Sequence, residues 1–183
     1  SGSGKSTLLH MLGGLLEPTS GRALMEDTDL YALSDAELSR LRNRQIGIIP
    51  QGHTALRSLT VLENVTLPSQ LYEPEKDVTE KARHLLEMVG IGALASAYPT
   101  ELSGGELRRM AIARALIQEP SVVLADEPTG DLDDENTDRV LQLLRQIADK
   151  GAAVLLVTHE PAAARYADEV FTMKSGQLER SAD

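Results

Sequence analysis

The sequence predicts an α/β fold in which a mostly parallel sheet carries helices on both faces and an α-helical subdomain is inserted. Three short apolar runs, 46–49, 121–125 and 153–157, have the composition of strands buried on both faces. Capped helical patterns alternate with these runs, which is typical of parallel strand–helix–strand units. One stretch, approximately 53–118, contains only helical patterns and predicts the inserted subdomain.

The composition indicates a single globular domain spanning residues 1–183. Apolar residues make up 42% of the chain, which is enough for a core. The net charge of −10 disfavours sequence-independent binding to nucleic acid. The chain has no cysteine, which excludes disulfides and thiolate metal sites. No apolar stretch reaches the roughly 20 residues needed to cross a bilayer, so we expect any membrane role to come through a partner.

The first residues have the spacing of a phosphate-binding loop. Gly4-Lys5-Ser6 leads into an apolar helical pattern, as in the second half of the G-x-x-x-x-G-K-[ST] motif, whose backbone amides cradle phosphates. We expect Lys5 to reach the β- and γ-phosphates and the Ser6 hydroxyl to bind Mg²⁺. A flexible linker has a similar composition, but the helix predicted over 6–16 disfavours it. The candidate nucleotide-binding residues are Ser1, Gly2, Ser3, Gly4, Lys5, Ser6 and Thr7.

The next part of the chain predicts a short strand, a helix and a buried strand. The short strand is expected over 22–26, and a capping box of Ser34 and Glu37 opens a helix that ends near residue 43. The buried strand 46–49 is followed at once by Gln51. Ligands bind at the carboxyl ends of parallel strands, so Gln51 is a candidate site residue. A solvated loop glutamine is the alternative.

The helical insertion contains two further helix starts. Thr60 and Glu63 form a capping box, and the short helix that they open is expected to end near Pro68. A longer helix is predicted to open at 77–80 and to end at Gly90. Its apolar positions recur on one helical face. They are Ala82, Leu85, Leu86 and Val89.

The stretch 102–106 combines a helix cap with two glycines. Ser103 and Glu106 fit a capping box. Glycine costs about 0.8–1 kcal/mol relative to alanine inside a helix, so a pure cap would not need two. Bare amides at the positive end of a helix dipole can bind a phosphate; an ordinary capped surface helix is the alternative. This helix is predicted to run to about residue 118. The candidate residues are Leu102, Ser103, Gly104, Gly105 and Glu106.

Two carboxylates stand at the carboxyl end of the apolar run 121–125. Because adjacent strand residues point to opposite sides of a sheet, Asp126 and Glu127 are expected to have different roles. We expect Asp126 to bind Mg²⁺, directly or through water, and Glu127 to act as the general base that polarises the attacking water. A surface acidic pair is the alternative.

The last part of the chain continues the alternation. Asp133 is expected to cap a helix over 134–149. The strand 153–157 ends close to His159, which places this histidine at the same sheet edge as Glu127. The remaining predictions are a short helix over 161–167, a strand over 169–173, a hairpin-like turn at 174–176 and a ragged tail.

Taken in order, these motifs resemble those of an ATP-binding cassette (ABC) ATPase, which is a P-loop NTPase. The resemblance implies that Gln51 contacts Mg²⁺ and the attacking water, that 102–106 is the signature motif, that Asp133 belongs to the D-loop and that His159 is the switch histidine. The matching segments are 1–7, Gln51, 102–106, 122–129, 130–133 and 157–159.

The resemblance also implies an assembly. Two chains, expected to form a homodimer, face head to tail and bury two ATP molecules with Mg²⁺, so that each signature motif acts on the partner's ATP. The helical subdomain then docks on an integral membrane permease. An N-terminal β-subdomain with an adenine-stacking aromatic residue is implied to precede residue 1, so we expect this chain alone to bind ATP weakly.

Three segments, 13–15, 18–21 and 33–47, resemble those of bacterial lipoprotein-releasing and macrolide-export systems. The resemblance implies an ATP-hydrolysing subunit that couples dimer closure to a permease at the cytoplasmic face of the inner membrane, with no nucleic-acid partner. A soluble non-transport ABC ATPase and a cell-division ABC ATPase are alternatives. A GTPase or small kinase is disfavoured, because no N-K-x-D guanine motif occurs and neither class explains 102–106. A non-catalytic binding module is disfavoured by Glu127 and His159.

Overall fold

The structure is a computed structural model that describes residues 3–52, 54–130 and 132–180. The helices, numbered in chain order, are α1 (Lys5–Leu12), α2 (Asp35–Gln45), α3 (Val61–Tyr72), α4 (Thr79–Met88), α5 (Gly104–Leu116) and α6 (Asp134–Asp149). The strands are β1 (Leu24–Met25), β2 (Thr28–Asp29), β3 (Ile46–Ile49), β4 (Val122–Asp126), β5 (Ala153–Val157), β6 (Phe171–Lys174) and β7 (Gln177–Arg180). Within these ranges no helix has the length and apolar character needed to cross a membrane.

The three predicted strands form one parallel sheet in the order β3–β4–β5, in which β3 and β4 are largely buried but β5, contrary to the prediction, is only partly buried. Ile46 pairs with Val122, and Val122 pairs with Ala153, so the three strands begin and end nearly level. Their carboxyl ends therefore meet at a single edge. The predicted α/β fold is confirmed, and β1–β2 and β6–β7 add two small antiparallel hairpins.

Strand alternation divides the core between the two faces of the sheet. Leu124 of β4 packs with Leu9 of α1 on one face. Val123 and Ala125 pack on the other face with Ile112 of α5 and with residues from α3, α4 and α6. The helical insertion shares this larger hydrophobic cluster: α5 packs against β3, and α3 and α4 pack against α5.

Helix α3 does not end near Pro68, as the sequence predicted, but continues to Tyr72. A proline inside a helix costs about 3 kcal/mol. The residues on either side of it, Val65 and Ser69, are fully buried, and the Asn43 side-chain amide donates to the Pro68 carbonyl at 2.8 Å. Tertiary packing therefore outweighs the local cost.

The chain end is more regular than predicted. Instead of an irregular tail, β7 pairs with β6 through Lys174↔Gln177. The two residues between them, Ser175 and Gly176, both have positive φ, 48° and 80°, which is the backbone of a two-residue type I′ hairpin turn. The predicted short helix over 161–167 is a 3₁₀ helix, Pro161–Tyr166.

Candidate functional site

A pocket of about 510 Å³ opens at the carboxyl edge of the parallel sheet. It is lined by residues 3–7, by Gln51 after β3, by Asp126 and Glu127 at the end of β4, and by His159 after β5. Segments that are far apart in the sequence thus converge, because parallel strands deliver their following residues to one edge. A separate cavity of about 400 Å³ between α4, α5 and α6 contains none of these residues.

The loop before α1 presents bare helix amides to the pocket. Gly4 precedes the helix with φ 97°, a left-handed conformation that favours glycine, and no side chain caps α1. Lys5 lies at the helix start, and its Nζ donates to the Ser3 hydroxyl at 3.0 Å. An uncapped N-terminus with an adjacent ammonium group can bind an anion such as a phosphate. Ser1 and Gly2 lie outside the described residues.

The two carboxylates line the same pocket, although adjacent residues of an extended strand point to opposite sides of a sheet. Asp126 is the last residue of β4 and is 7% exposed. Glu127 has φ 48° and so leaves the extended conformation, although its amide still donates to the Val157 carbonyl at 2.8 Å. A left-handed backbone at a non-glycine residue is strained. This conformation allows consecutive residues to serve one pocket.

His159 and Glu127 are in contact at the pocket mouth. The His159 amide donates to Glu127 Oε2 at 3.3 Å, and its Nε2 lies 3.5 Å from Glu127 Oε1. The imidazole is largely exposed, with 68% of its side chain accessible, whereas the Glu127 side chain is 18% exposed. The glutamate is thus held by the histidine while one side of the pair remains open to the pocket.

The residue types that line this pocket fit a magnesium ion. The Ser6 hydroxyl, the Gln51 amide oxygen and the Asp126 carboxylate are hard oxygen ligands. In the part of the chain that the structure describes, no group of three or more His, Asp or Glu side chains could hold a metal ion. A single protein carboxylate suits Mg²⁺ that shares its coordination with substrate phosphates and water.

The segment 102–106, predicted to be the signature motif, lies outside this pocket. Ser103 and Glu106 form the predicted capping box: the Glu106 amide donates to Ser103 Oγ at 3.3 Å, and the Ser103 amide donates to Glu106 Oε2 at 2.7 Å. The bonds from the Ser103 amide and hydroxyl lower the pKa of Glu106. Ser103 and Gly104 are exposed. None of the residues 102–106 lines the pocket of Lys5.

Asp133 also lies outside the pocket, and it caps α6. Its Oδ1 accepts from the Asn136 amide at 2.8 Å. The Asn136 side chain in turn accepts from Arg109 Nη1 at 3.0 Å, and a Cβ on Gly105 would lie 3.0 Å from Leu132 Cδ2. The segment before α6 and the start of α5 are therefore neighbours. Asp131 lies outside the described residues.

Sequence reasoning missed one charged residue that lines the pocket. Arg108 of α5 is only 4% exposed and lines the pocket together with Lys5. The available signal was an arginine on a helix predicted to be largely buried, since a buried arginine needs a partner that fixes it.

Comparisons with known proteins agree with this geometry. A family model described as "ABC transporter" matches residues 1–130. The lipoprotein-releasing system ATP-binding protein LolD of Shewanella oneidensis is 47% identical over 181 residues, which cover 98% of this chain and 79% of that protein. LolD of Aquifex aeolicus is 44% identical over 179 residues, which cover 97% of this chain and 80% of that protein.

Solved structures agree as well. The dimeric structure of the bacterial ABC transporter cassette MJ0796 has a TM-score of 0.90 and 37% identity, covering 98% of this chain and 80% of that one. A dimeric post-hydrolysis state of MJ0796, bound to ADP and Pi, has a TM-score of 0.86 and 35% identity with the same coverage. The chain therefore belongs to the ABC transporter family, as an ATP-binding and ATP-hydrolysing subunit.

Proposed function

We propose that the chain hydrolyses Mg·ATP at a site shared between two copies and thereby drives a membrane permease of the lipoprotein-releasing type. The observation that carries this proposal is the separation of the two phosphate-binding elements. Residues 3–7 line the pocket with Gln51, Asp126 and Glu127, whereas the exposed tip at Ser103 does not. A second copy can supply the tip that the pocket lacks.

Within the pocket, Lys5 and the first amides of α1 bind the β- and γ-phosphates of ATP. Ser6, Gln51 and Asp126 would hold a magnesium ion, and that ion would neutralise phosphate charge. Lys5 already lies at the start of a helix whose dipole favours an anion. The substrate is thus fixed by its phosphates.

Hydrolysis is phosphoryl transfer to water. A bond forms between the water oxygen and the γ-phosphorus, the bond from that phosphorus to the β–γ bridging oxygen breaks, and ADP leaves with phosphate. Glu127 is the general base that accepts the proton of the water. The contacts from His159 to both carboxylate oxygens, at 3.3 and 3.5 Å, hold this carboxylate in place.

Dimer closure follows because the pocket and the signature tip that bind one ATP belong to different chains. ATP on the pocket of one chain is bound by the bare amides at the signature tip of the other, so ATP favours the closed dimer and hydrolysis releases it. A permease converts this closure into work at the cytoplasmic face of the inner membrane. The identity of about 45% to lipoprotein-releasing ATP-binding proteins, over nearly the whole chain, supports this permease type.

Replacement of the proposed base tests the chemistry. In the full-length protein Glu127→Gln should lower kcat at least 100-fold, because general-base catalysis contributes about 10²–10⁴-fold, and ATP should then accumulate in a stable dimer. Glu80→Gln, at an exposed position in the first turn of α4, is the matched control and should hydrolyse ATP normally. Turnover that is unchanged in Glu127→Gln would remove Glu127 from the role of base.

Purification from the native membrane tests the partner. Gentle extraction should recover the chain with an integral membrane subunit, and lipoprotein release in reconstituted vesicles should stop with Glu127→Gln. Recovery with nucleic acid and without a membrane subunit would contradict the transport function.

A further inference from the structure

We propose that Arg108 is a positioning residue for ATP hydrolysis, whose guanidinium fixes the loop of Gln51 to the helix that carries the signature motif. The inference rests on the ATPase activity and assigns a role to a residue that binds neither the phosphates nor the magnesium ion in the mechanism above.

The contact of Arg108 to the Gln51 loop is direct. Arg108 lies in the second turn of α5 and is 4% exposed. Its Nη1 donates to the Pro50 carbonyl at 2.8 Å. That carbonyl belongs to the peptide unit that joins Pro50 to Gln51. The bond therefore fixes the orientation of the peptide next to the Cα of Gln51. A charged donor makes a stronger hydrogen bond than a neutral one.

The same guanidinium reaches the turn that follows Glu127. A Cβ built on Gly130 would lie 3.6 Å from Arg108 Nη2 and 3.4 Å from the Glu127 carbonyl oxygen. Arg108 therefore lies between the loop after β3 and the turn after β4, and it lines the pocket that both segments border. One side chain of α5 thus connects the two loops that carry Gln51 and Glu127.

A second arginine of α5 bonds the chain after the Gln51 loop. Arg114 Nη1 donates to the Thr54 carbonyl at 2.9 Å, and its Nη2 donates to the Thr54 hydroxyl. Gly52, with φ 93°, separates Gln51 from Thr54. Arg108 therefore bonds the peptide of Gln51 itself, whereas Arg114 bonds a residue beyond this glycine.

The two arginines differ in one respect that a test can use. Arg108 lines the pocket and holds the peptide next to Gln51, whereas Arg114 is not among the residues that line it. If Arg108 acts only by stabilising the fold, replacing either arginine should have the same consequences. If Arg108 positions Gln51, its replacement should impair the chemical step specifically.

The experiment measures kcat, KM and ATP binding in the full-length protein for Arg108→Met, Arg108→Lys and Arg114→Met. Small misplacements of catalytic groups cost up to about 10²-fold, so Arg108→Met should lower kcat at least tenfold while the Kd for ATP changes less than about threefold. Arg108→Lys, which retains a charged donor, should recover most of kcat. Arg114→Met should lower the thermal unfolding midpoint but keep kcat within about threefold of the parent.

Three results would overturn the proposal: Arg108→Met with kcat within twofold of the parent, Arg108→Lys impaired as severely as Arg108→Met, or Arg114→Met with an equal loss of kcat. If Arg108→Met does not fold, Arg108→Gln replaces it as the variant that lacks the charge. In that case kcat should be at least fivefold lower for Arg108→Gln than for Arg108→Lys, and equal values would refute the role.

Discussion

Gly47 lies in the middle of β3, and the structure predicts the effect of adding one methyl group there. A Cβ at this position would lie 2.6 Å from the Ala115 carbonyl oxygen and 2.9 Å from Pro120 Cγ. The first distance is about 0.8 Å short of the 3.4 Å at which ordinary contact begins. Because the nearer obstacle is backbone, Gly47→Ala must push the end of α5 away from the sheet.

The expected cost follows from two opposing terms. Overpacking of a core costs about 1–3 kcal/mol, and a backbone obstacle places this case at the upper end. Replacing glycine by alanine lowers the conformational entropy of the unfolded chain, which stabilises the folded protein by about 0.4–1 kcal/mol. The net loss should be about 2 kcal/mol, which corresponds to a decrease of roughly 4–8 °C in Tm for a chain of this size.

Urea and thermal unfolding of the full-length protein measure this loss. Pro120→Ala added to Gly47→Ala removes the Cγ contact and should recover part of the stability, because residues in contact are energetically coupled. Gly21→Ala is the control: its φ of 85° is strained for alanine, but nothing lies within 4 Å of the new Cβ. Adding Pro120→Ala to Gly21→Ala should therefore recover none of the lost stability. A Gly47→Ala protein within about 0.5 kcal/mol of the parent would refute the packing described for β3 and α5.

Two further predictions concern polar groups. Hydrogen bonds within the capping boxes lower the pKa values of Glu37, Glu63 and Glu106, so their contribution to stability is present above the ordinary glutamate pKa of 4.5 and is lost as the pH falls through the lowered values. Urea unfolding between pH 7 and pH 3 should show a smaller loss at acid pH in Glu106→Gln than in the parent, and equal losses would contradict the capping role. Asn64 is fully buried, accepts from the Leu56 amide at 2.9 Å and donates to three carbonyls. Asn64→Ala should therefore lower the free energy of unfolding by about 2–3 kcal/mol, and a loss below about 0.5 kcal/mol would show that these bonds contribute little.

The parts of the fold that the sequence predicted correctly are those with a strong local pattern. The run Val-Val-Leu-Ala, 122–125, is apolar on both faces because α1 packs on one side of β4 and α5 packs on the other. The capping box of Ser103 forms as its spacing predicts. In both cases the residue types at neighbouring positions of the sequence are enough to predict the element, so no tertiary contact has to be known.

The features that the sequence analysis got wrong or did not foresee depend on contacts between distant segments. Pro68 stays within α3 because packing around Val65 and Ser69 outweighs the local penalty. The left-handed backbone of Glu127, with φ 48°, goes with a bond from its amide to Val157. Arg108 was not among the predicted site residues, and its bond to Pro50 spans 58 positions. Periodicity carries no signal for any of these contacts.

We propose that the signature tip of one chain serves the nucleotide pocket of another, and cross-linking can measure this directly because residues 1–183 contain no cysteine. One Glu127→Gln protein carries Ser3→Cys at the pocket and a second carries Ser103→Cys at the exposed tip. After mixing and treatment with a short bis-maleimide, we expect a cross-linked product of two chains whose formation requires ATP. Cross-linking within a single chain that carries both substitutions would contradict a nucleotide site shared between two chains. A yield of the two-chain product that ATP does not change would contradict it as well.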